Sequence, residues 1–233
     1  KPTWSKPRRL CNGVVMNKPT VLSTGEWLLP ACVWGSSRRS DVPAEDKRPN
    51  VFVSTDDGVS WRRRSGPIVP EGSFSEQMVV EKVDGRIWML VRTDYGIGES
   101  YSADKGRTWG VLEPSEIRHA TARFFIRRLL SGNLLLVKHG PIQQRTGRSH
   151  LTAYLSADDG RSWSGGFLLD EREGVSYPDG VQGPDGRIYM IYDYSRHGAK
   201  QILLAVFKER DVAMGGAISG ESRLRVLVNQ ATG

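Results

Sequence analysis

Apolar positions in this chain fall into short runs, each closed by a turn signal, and no stretch keeps the period of a long amphipathic helix. Four hairpins dominate the pattern. Each joins an apolar strand, a tight turn ending in glycine, and a second apolar strand. The turns close at Gly25 (Ser-Thr-Gly), Gly85 (Val-Asp-Gly), Gly132 (Leu-Ser-Gly) and Gly186 (Pro-Asp-Gly). The strands after them are predicted over 26–33, 86–92, 133–138 and 187–192. Elsewhere, 211–217 offers one turn of helix, and 224–228 reads as a closing strand.

A second pattern lies between the hairpins. Ser54-Thr55-Asp56-Asp57-Gly58-Val59-Ser60-Trp61 recurs as Ser102-Ala103-Asp104-Lys105-Gly106-Arg107-Thr108-Trp109 and as Ser156-Ala157-Asp158-Asp159-Gly160-Arg161-Ser162-Trp163. The third-position aspartates are 48 and 54 residues apart. Aspartate bonds its own following backbone, glycine accepts a positive φ, and the seventh-position hydroxyl can tie the turn shut. The tryptophan then buries a large apolar face between units. The motif resembles the Asp box and reads as a turn staple rather than a catalyst. Thr3-Trp4-Ser5 matches the end of a further copy, so at least one unit is expected upstream. Short strands at a period of roughly 45–55 residues predict four-stranded blades around an axis. The expected fold class is all-β: a six-bladed β-propeller of four-stranded antiparallel blades. Residues 1–233 form a single propeller domain supplying about four C-terminal blades.

Composition narrows the function classes. The chain is 38% hydrophobic and 25% charged, enough apolar content for a real core. No apolar run is long enough to cross a bilayer as a helix. The formal net charge is +7, but the basic residues are dispersed apart from short runs such as Arg62-Arg63-Arg64. That distribution argues against a nucleic-acid partner and suits steering of anionic ligands. Cys11 and Cys32 read as thiols, without the spacing of a zinc site. Asp56-Asp57 and Asp158-Asp159 lack the further ligands of a calcium loop, so neither metal nor cofactor is expected.

Counting from the turn glycines locates candidate chemistry. Nine positions before them lie Met16, Glu76, Arg123 and Tyr177; seven positions after lie Cys32, Arg92, His139 and Asp193. These offsets are opposite ends of one hairpin. Glu76 is therefore expected to meet Arg92, Arg123 to meet His139, and Tyr177 to meet Asp193. Polar groups at equivalent spots of three successive blades would ring the axis above largely apolar strands, which is the layout of a site.

These residues resemble the sialidase (neuraminidase) family with Asp-box (BNR) repeats. The stretch 76–86, followed by Val91-Arg92, is similar to the blade carrying that family's catalytic glutamate and second triad arginine. Gly147-Arg148-Ser149-His150 resembles the stretch with the third arginine, with Arg145 as an alternative, and Ser176-Tyr177-Pro178 the stretch with the catalytic tyrosine. The resemblance implies an exo-glycoside hydrolase removing a terminal sialic acid or related acidic sugar. Tyr177 would be its nucleophile and Glu76 the base. Arginines clamp a carboxylate with paired charge-assisted bonds, and a neutral tyrosine avoids repulsion by an anionic sugar. Arg92 and Arg148 would hold the substrate carboxylate. Arg123, His139, Asp193 and Asp179 complete the expected substrate-binding set. The family's general acid and first arginine belong to earlier blades. Glycan or small saccharide is the implied partner, and a secreted or periplasmic location is favoured.

Two other functions fit the same residues. One is a propeller lectin without chemistry. The other is a different carbohydrate-active enzyme, such as a uronate lyase using Tyr177 and His139 as acid and base.

Overall fold

The computed structural model describes all residues except 1–2, 35–41, 71–73, 75 and 232–233. Among the described residues the strands form four sheets of four, each a sequential antiparallel meander. Blade 1 holds β1 (Thr20–Val21), β2 (Trp27–Ala31), β3 (Asn50–Ser54) and β4 (Arg62–Arg63). Blade 2 holds β5 (Gln77–Glu81), β6 (Ile87–Thr93), β7 (Gly96–Ser102) and β8 (Glu113–Pro114). Blade 3 holds β9 (Phe125–Arg128), β10 (Leu134–His139), β11 (Leu151–Ser156) and β12 (Ser164–Asp170). Blade 4 holds β13 (Val175–Gln182), β14 (Arg187–Tyr194), β15 (Gln201–Lys208) and β16 (Arg223–Gln230), with the short helix α1 (Glu209–Ala213) before its last strand. The architecture is that of an all-β propeller. The helix begins two residues before its expected position. No helix among the described residues is long and apolar enough to cross a membrane.

Blade 1 departs from the repeat. Val14, rather than Met16, bridges Cys32. The Asn17 side chain accepts the Lys18 amide at 2.8 Å, and Pro19 has no amide to donate, so the inner strand shrinks to two residues. Trp4 is 93% exposed and lies in no strand. Lys1 and Pro2 lie outside the described residues.

The three Ser-x-Asp-x-Gly turns close as their chemistry requires. In the first, the Ser54 hydroxyl donates to Asp56 Oδ1 at 2.7 Å and accepts the Gly58 amide at 2.8 Å. Asp56 also accepts the Ser60 amide at 2.8 Å and the Ser60 hydroxyl at 2.6 Å. The Ser60 bonds hold the Asp56 carboxyl down at about 2. Asp104 and Asp158 repeat the pattern with Ser102 and Thr108 and with Ser156 and Ser162. The second and third turns also grip a neighbouring blade. Lys105 reaches Glu26 of blade 1 at 2.6 Å, and Asp159 accepts the Val83 amide of blade 2 at 3.0 Å.

Alternation along the strands builds the core between blades. Val79, Ile87, Met89 and Val91 of blade 2 pack towards blade 1 with Leu28, Val51 and Val53. Met78, Val80, Trp88 and Leu90, on the other face, join a cluster running through blades 3 and 4. The bond from Val83 to Asp159 puts the hairpin turns and the Ser-x-Asp-x-Gly turns on one rim. Glu76, Arg92 and Tyr177 stand at the far ends of their strands, on the opposite rim.

Candidate active site

The site begins where β5 starts and β6 ends. The Arg92 amide donates to the Glu76 carbonyl at 3.1 Å, closing the end of that hairpin. Across it Arg92 Nη1 donates to Glu76 Oε2 at 2.9 Å, with both residues 3% exposed. The Phe74 ring lies 4.1 Å from the Arg92 guanidinium carbon. Arg92 is therefore engaged with Glu76 rather than standing open beside a cleft.

Blade 4 supplies the partner. Tyr177 Oη donates to Glu76 Oε1 at 3.3 Å, across 101 residues of sequence. Tyr177 has a φ of 55° and lies in a bulge between the Ser176–Asp193 and Asp179–Ile191 pairs of the β13–β14 ladder. The bulge corrects the expected register. Asp193 stands opposite Ser176, and the extra residues at 177–178 turn the tyrosine out of the ladder towards blade 2. Pro178 has no amide to donate, which suits a bulge.

Other expected residues gather around this pair. Arg148 lies on the loop between β10 and β11; its Nη1 donates to Ser176 Oγ at 3.3 Å and its Nη2 to the Thr121 carbonyl at 3.5 Å. Arg123 is 8% exposed and lies 3.6 Å from Asp179, with its Nε and Nη2 lacking hydrogen-bond partners. Burial lowers its pKa, against the pull of Asp179, Glu76 and Tyr177. Asp179 is held mainly by Lys18, which donates to both its oxygens at 2.9 Å and links blade 1 to blade 4. A cleft of about 310 Å³ opens beside Arg148, lined also by Ser176, Asp193, Ser195, Arg196 and His197. Arg145 turns away to the Asp94 and Tyr95 carbonyls, so of the two expected alternatives Arg148 is the one on this cleft.

His139 does not reach the cleft. It is 0% exposed, and both ring nitrogens are engaged: Nε2 with the Val175 carbonyl at 2.9 Å, Nδ1 with His119 Nε2 at 3.0 Å. The carbonyl can only accept, so His139 Nε2 carries its proton, and His119 Nε2 accepts the His139 backbone amide at 3.2 Å. Burial holds the His139 pKa down to about 4 and pushes that of His119 well below its usual value. The expected meeting of His139 with Arg123 gives way to these separate bonds, because the imidazole turns into the interior between β10 and β13. A substrate contact, or a lyase acid–base role, is closed to it in this geometry.

Arg196, Lys18 and His119 were not among the expected site residues. Arg196 donates to Asp193 Oδ2 through Nε at 2.8 Å and Nη2 at 2.6 Å, and its guanidinium carbon lies 4.5 Å from the Tyr177 ring centre. Its signal was the polar and aromatic density of 192–197, which exceeds what a closing strand needs. Among the described residues no group of three or more metal-ligating side chains could hold a metal ion.

Comparison with known proteins places the fold. The structure resembles the intramolecular trans-sialidase of Ruminococcus gnavus, with a TM-score of 0.62 and 18% identity over 86% of this chain and 43% of that one. It resembles the Hadza microbial sialidase Hz136, with a TM-score of 0.61 and 19% identity over 83% and 37% of the two chains. The endo-arabinase of Bacteroides thetaiotaomicron VPI-5482 follows the same fold, with a TM-score of 0.53 and 15% identity over 93% and 82%. The chain thus spans less than half the length of the two sialidases. No curated protein matches the sequence. The family model of the BNR repeat-like domain matches residues 2–190, so the chain belongs to that sialidase-like family.

Proposed function

We propose that this chain carries the nucleophilic half of an exo-glycoside hydrolase of the sialidase type, acting on a terminal sialic acid or related acidic sugar. The observation that carries the reading is the bond between Tyr177 Oη and Glu76 Oε1 at 3.3 Å, a nucleophile and base brought together from two blades. Tyr177 Oη attacks the anomeric carbon while its proton passes to Glu76. The glycosidic bond breaks, and its electron pair leaves on the aglycone oxygen, which takes a proton from a general acid supplied by a further blade. Water then attacks the anomeric carbon and gives a proton to the conjugate base of that general acid; the tyrosine oxygen leaves and takes its proton back from Glu76, and the free sugar departs. Arg92 fixes the Glu76 carboxylate. Arg148 is the cleft arginine for the sugar's carboxylate, and Lys18 and Arg123 neutralise Asp179.

The same reading places residues 1–233 within a larger propeller of six blades. The uncovered face of blade 4 supports this: Val181 and Ile191 are 48% and 44% exposed there.

Tyr177→Phe keeps the ring and removes the attacking oxygen. Hydrolysis of an aryl sialoside should fall by roughly a thousandfold or more, with the circular dichroism spectrum unchanged. Turnover at the parental rate would refute the nucleophile. Glycan binding without turnover in the parental protein would select the lectin reading.

A further inference from the structure

Tyr177 is poorly held by the bond that defines it. Its contact with Glu76 is long, at 3.3 Å, and its backbone is in the left-handed region at φ 55°. A non-glycine residue persists there only when its surroundings over-determine it. Those surroundings include Arg196. The guanidinium carbon lies 4.5 Å from the ring centre, within cation–π range. Arg196 is itself fixed, since Nε and Nη2 both donate to Asp193 Oδ2 at 2.8 and 2.6 Å.

The loop beneath is also tied down. The Ser195 carbonyl accepts the Gly198 and Lys200 amides at 2.9 and 2.8 Å, its hydroxyl accepts the Ala199 amide at 3.0 Å, and its own amide reaches the Gly174 carbonyl at 3.0 Å. Asp193 in turn stands opposite Ser176, next to the tyrosine. Carboxylate, guanidinium and phenol ring therefore form a stack anchored to both strands of one ladder.

We propose that Arg196, clamped by Asp193, is the positioning residue of Tyr177: it fixes the ring above the bulge and supplies the fixed positive charge beside which the phenol oxygen turns nucleophilic. This rests on the nucleophile reading above. The arrangement also explains why Asp193 does not repel an anionic sugar, because its charge is spent on Arg196. Arg148 lines the same cleft without a carboxylate partner of its own, so the two arginines divide the work between nucleophile and substrate.

The test compares Arg196→Gln, Arg196→Lys and, as a control on the far rim, Arg107→Gln. One measurement needs no turnover: the rate at which phenylmethanesulfonyl fluoride modifies Tyr177 Oη at neutral pH, followed by peptide mass. Arg196→Gln should slow it about tenfold. Arg196→Lys should recover part of the loss, because an ammonium still supplies the charge but not the planar clamp. The control should match the parent. A second measurement is steady-state hydrolysis of an aryl sialoside, where Arg196→Gln should lower kcat by about the same factor and leave KM within about twofold. Unchanged or faster modification of Tyr177 in Arg196→Gln overturns the proposal. So does a loss confined to KM, which would make Arg196 a substrate contact. If no variant or parent turns over the sialoside but the modification rates follow the expected order, the positioning role stands and the substrate reading fails.

Discussion

At the scale of single residues, the molecule uses one side-chain chemistry in two environments. Arg92 and Arg123 are buried and face carboxylates, whereas Arg148 and Arg196 line an open cleft. A buried charge that keeps a partner is held in one place, and losing that partner costs far more than the pair contributes. The His119–His139 pair shows the same logic for neutral groups. Its interior position keeps both rings uncharged, with His139 at about 4 against an ordinary value of 6.5. The unfolded chain binds a proton at His139 as pH falls below 6.5, and the native state binds it only near 4. Stability is thus fully present above pH 6.5 and declines as the solution is acidified towards 4. For His139 alone the loss reaches about 3 kcal/mol, and His119 adds to it. Thermal melts between pH 7 and pH 4 should show Tm falling with acidification, and His139→Gln should flatten the slope. A parental Tm that stays level across that range would contradict the buried neutral pair.

At the scale of elements, the repeat glycines serve two different ends. Gly186 has φ 79° and nothing within 4 Å of an added Cβ. Gly160 has φ 90°, and its Cβ would meet the Trp88 ring of the preceding blade at 2.5 Å. Gly186→Ala should therefore cost only the left-handed strain of one residue, about 1–2 kcal/mol. Gly160→Ala should cost that plus overpacking of the blade interface, about 1–3 kcal/mol more. Urea denaturation measures both, and equal losses would mean the interface yields freely.

The strand and turn scheme was legible in the sequence because it rests on local rules. Glycine-closed hairpins and Ser-x-Asp-x-Gly turns declare themselves within a few residues. The Glu76–Arg92 meeting followed from the same arithmetic. It failed at Tyr177, because a bulge adds residues to one strand without any mark in the apolar pattern. It failed for His139, because strand-end position does not say whether a side chain turns inward. Arg196 was hidden for a third reason: its partner ring is nineteen residues away, across a bulged ladder.

At the scale of the whole molecule, blades report their neighbours through burial. Three and five positions after the hairpin glycine, Trp88 and Leu90 of blade 2 are 2% and 0% exposed, and Leu135 and Val137 of blade 3 are 1% and 0% exposed. The fifth position of blade 4 is Ile191, 44% exposed. Adjacent blades cover one another, and the outer face of blade 4 keeps an apolar surface. The site is built across the same interfaces. Glu76 and Arg92 come from blade 2, Arg123 and Arg148 from blade 3, Tyr177 and Arg196 from blade 4, and Lys18 from blade 1. The packing of the blades and the geometry of the candidate site are therefore one property. The most direct test of the account is covalent trapping on the full chain with a fluorinated sialosyl fluoride, whose ring fluorine slows release of the glycosyl group. Peptide mass analysis should find the sugar on Tyr177, with Tyr177→Phe unlabelled. A sugar attached to another residue, or turnover that never passes through a bound glycosyl group, would contradict it.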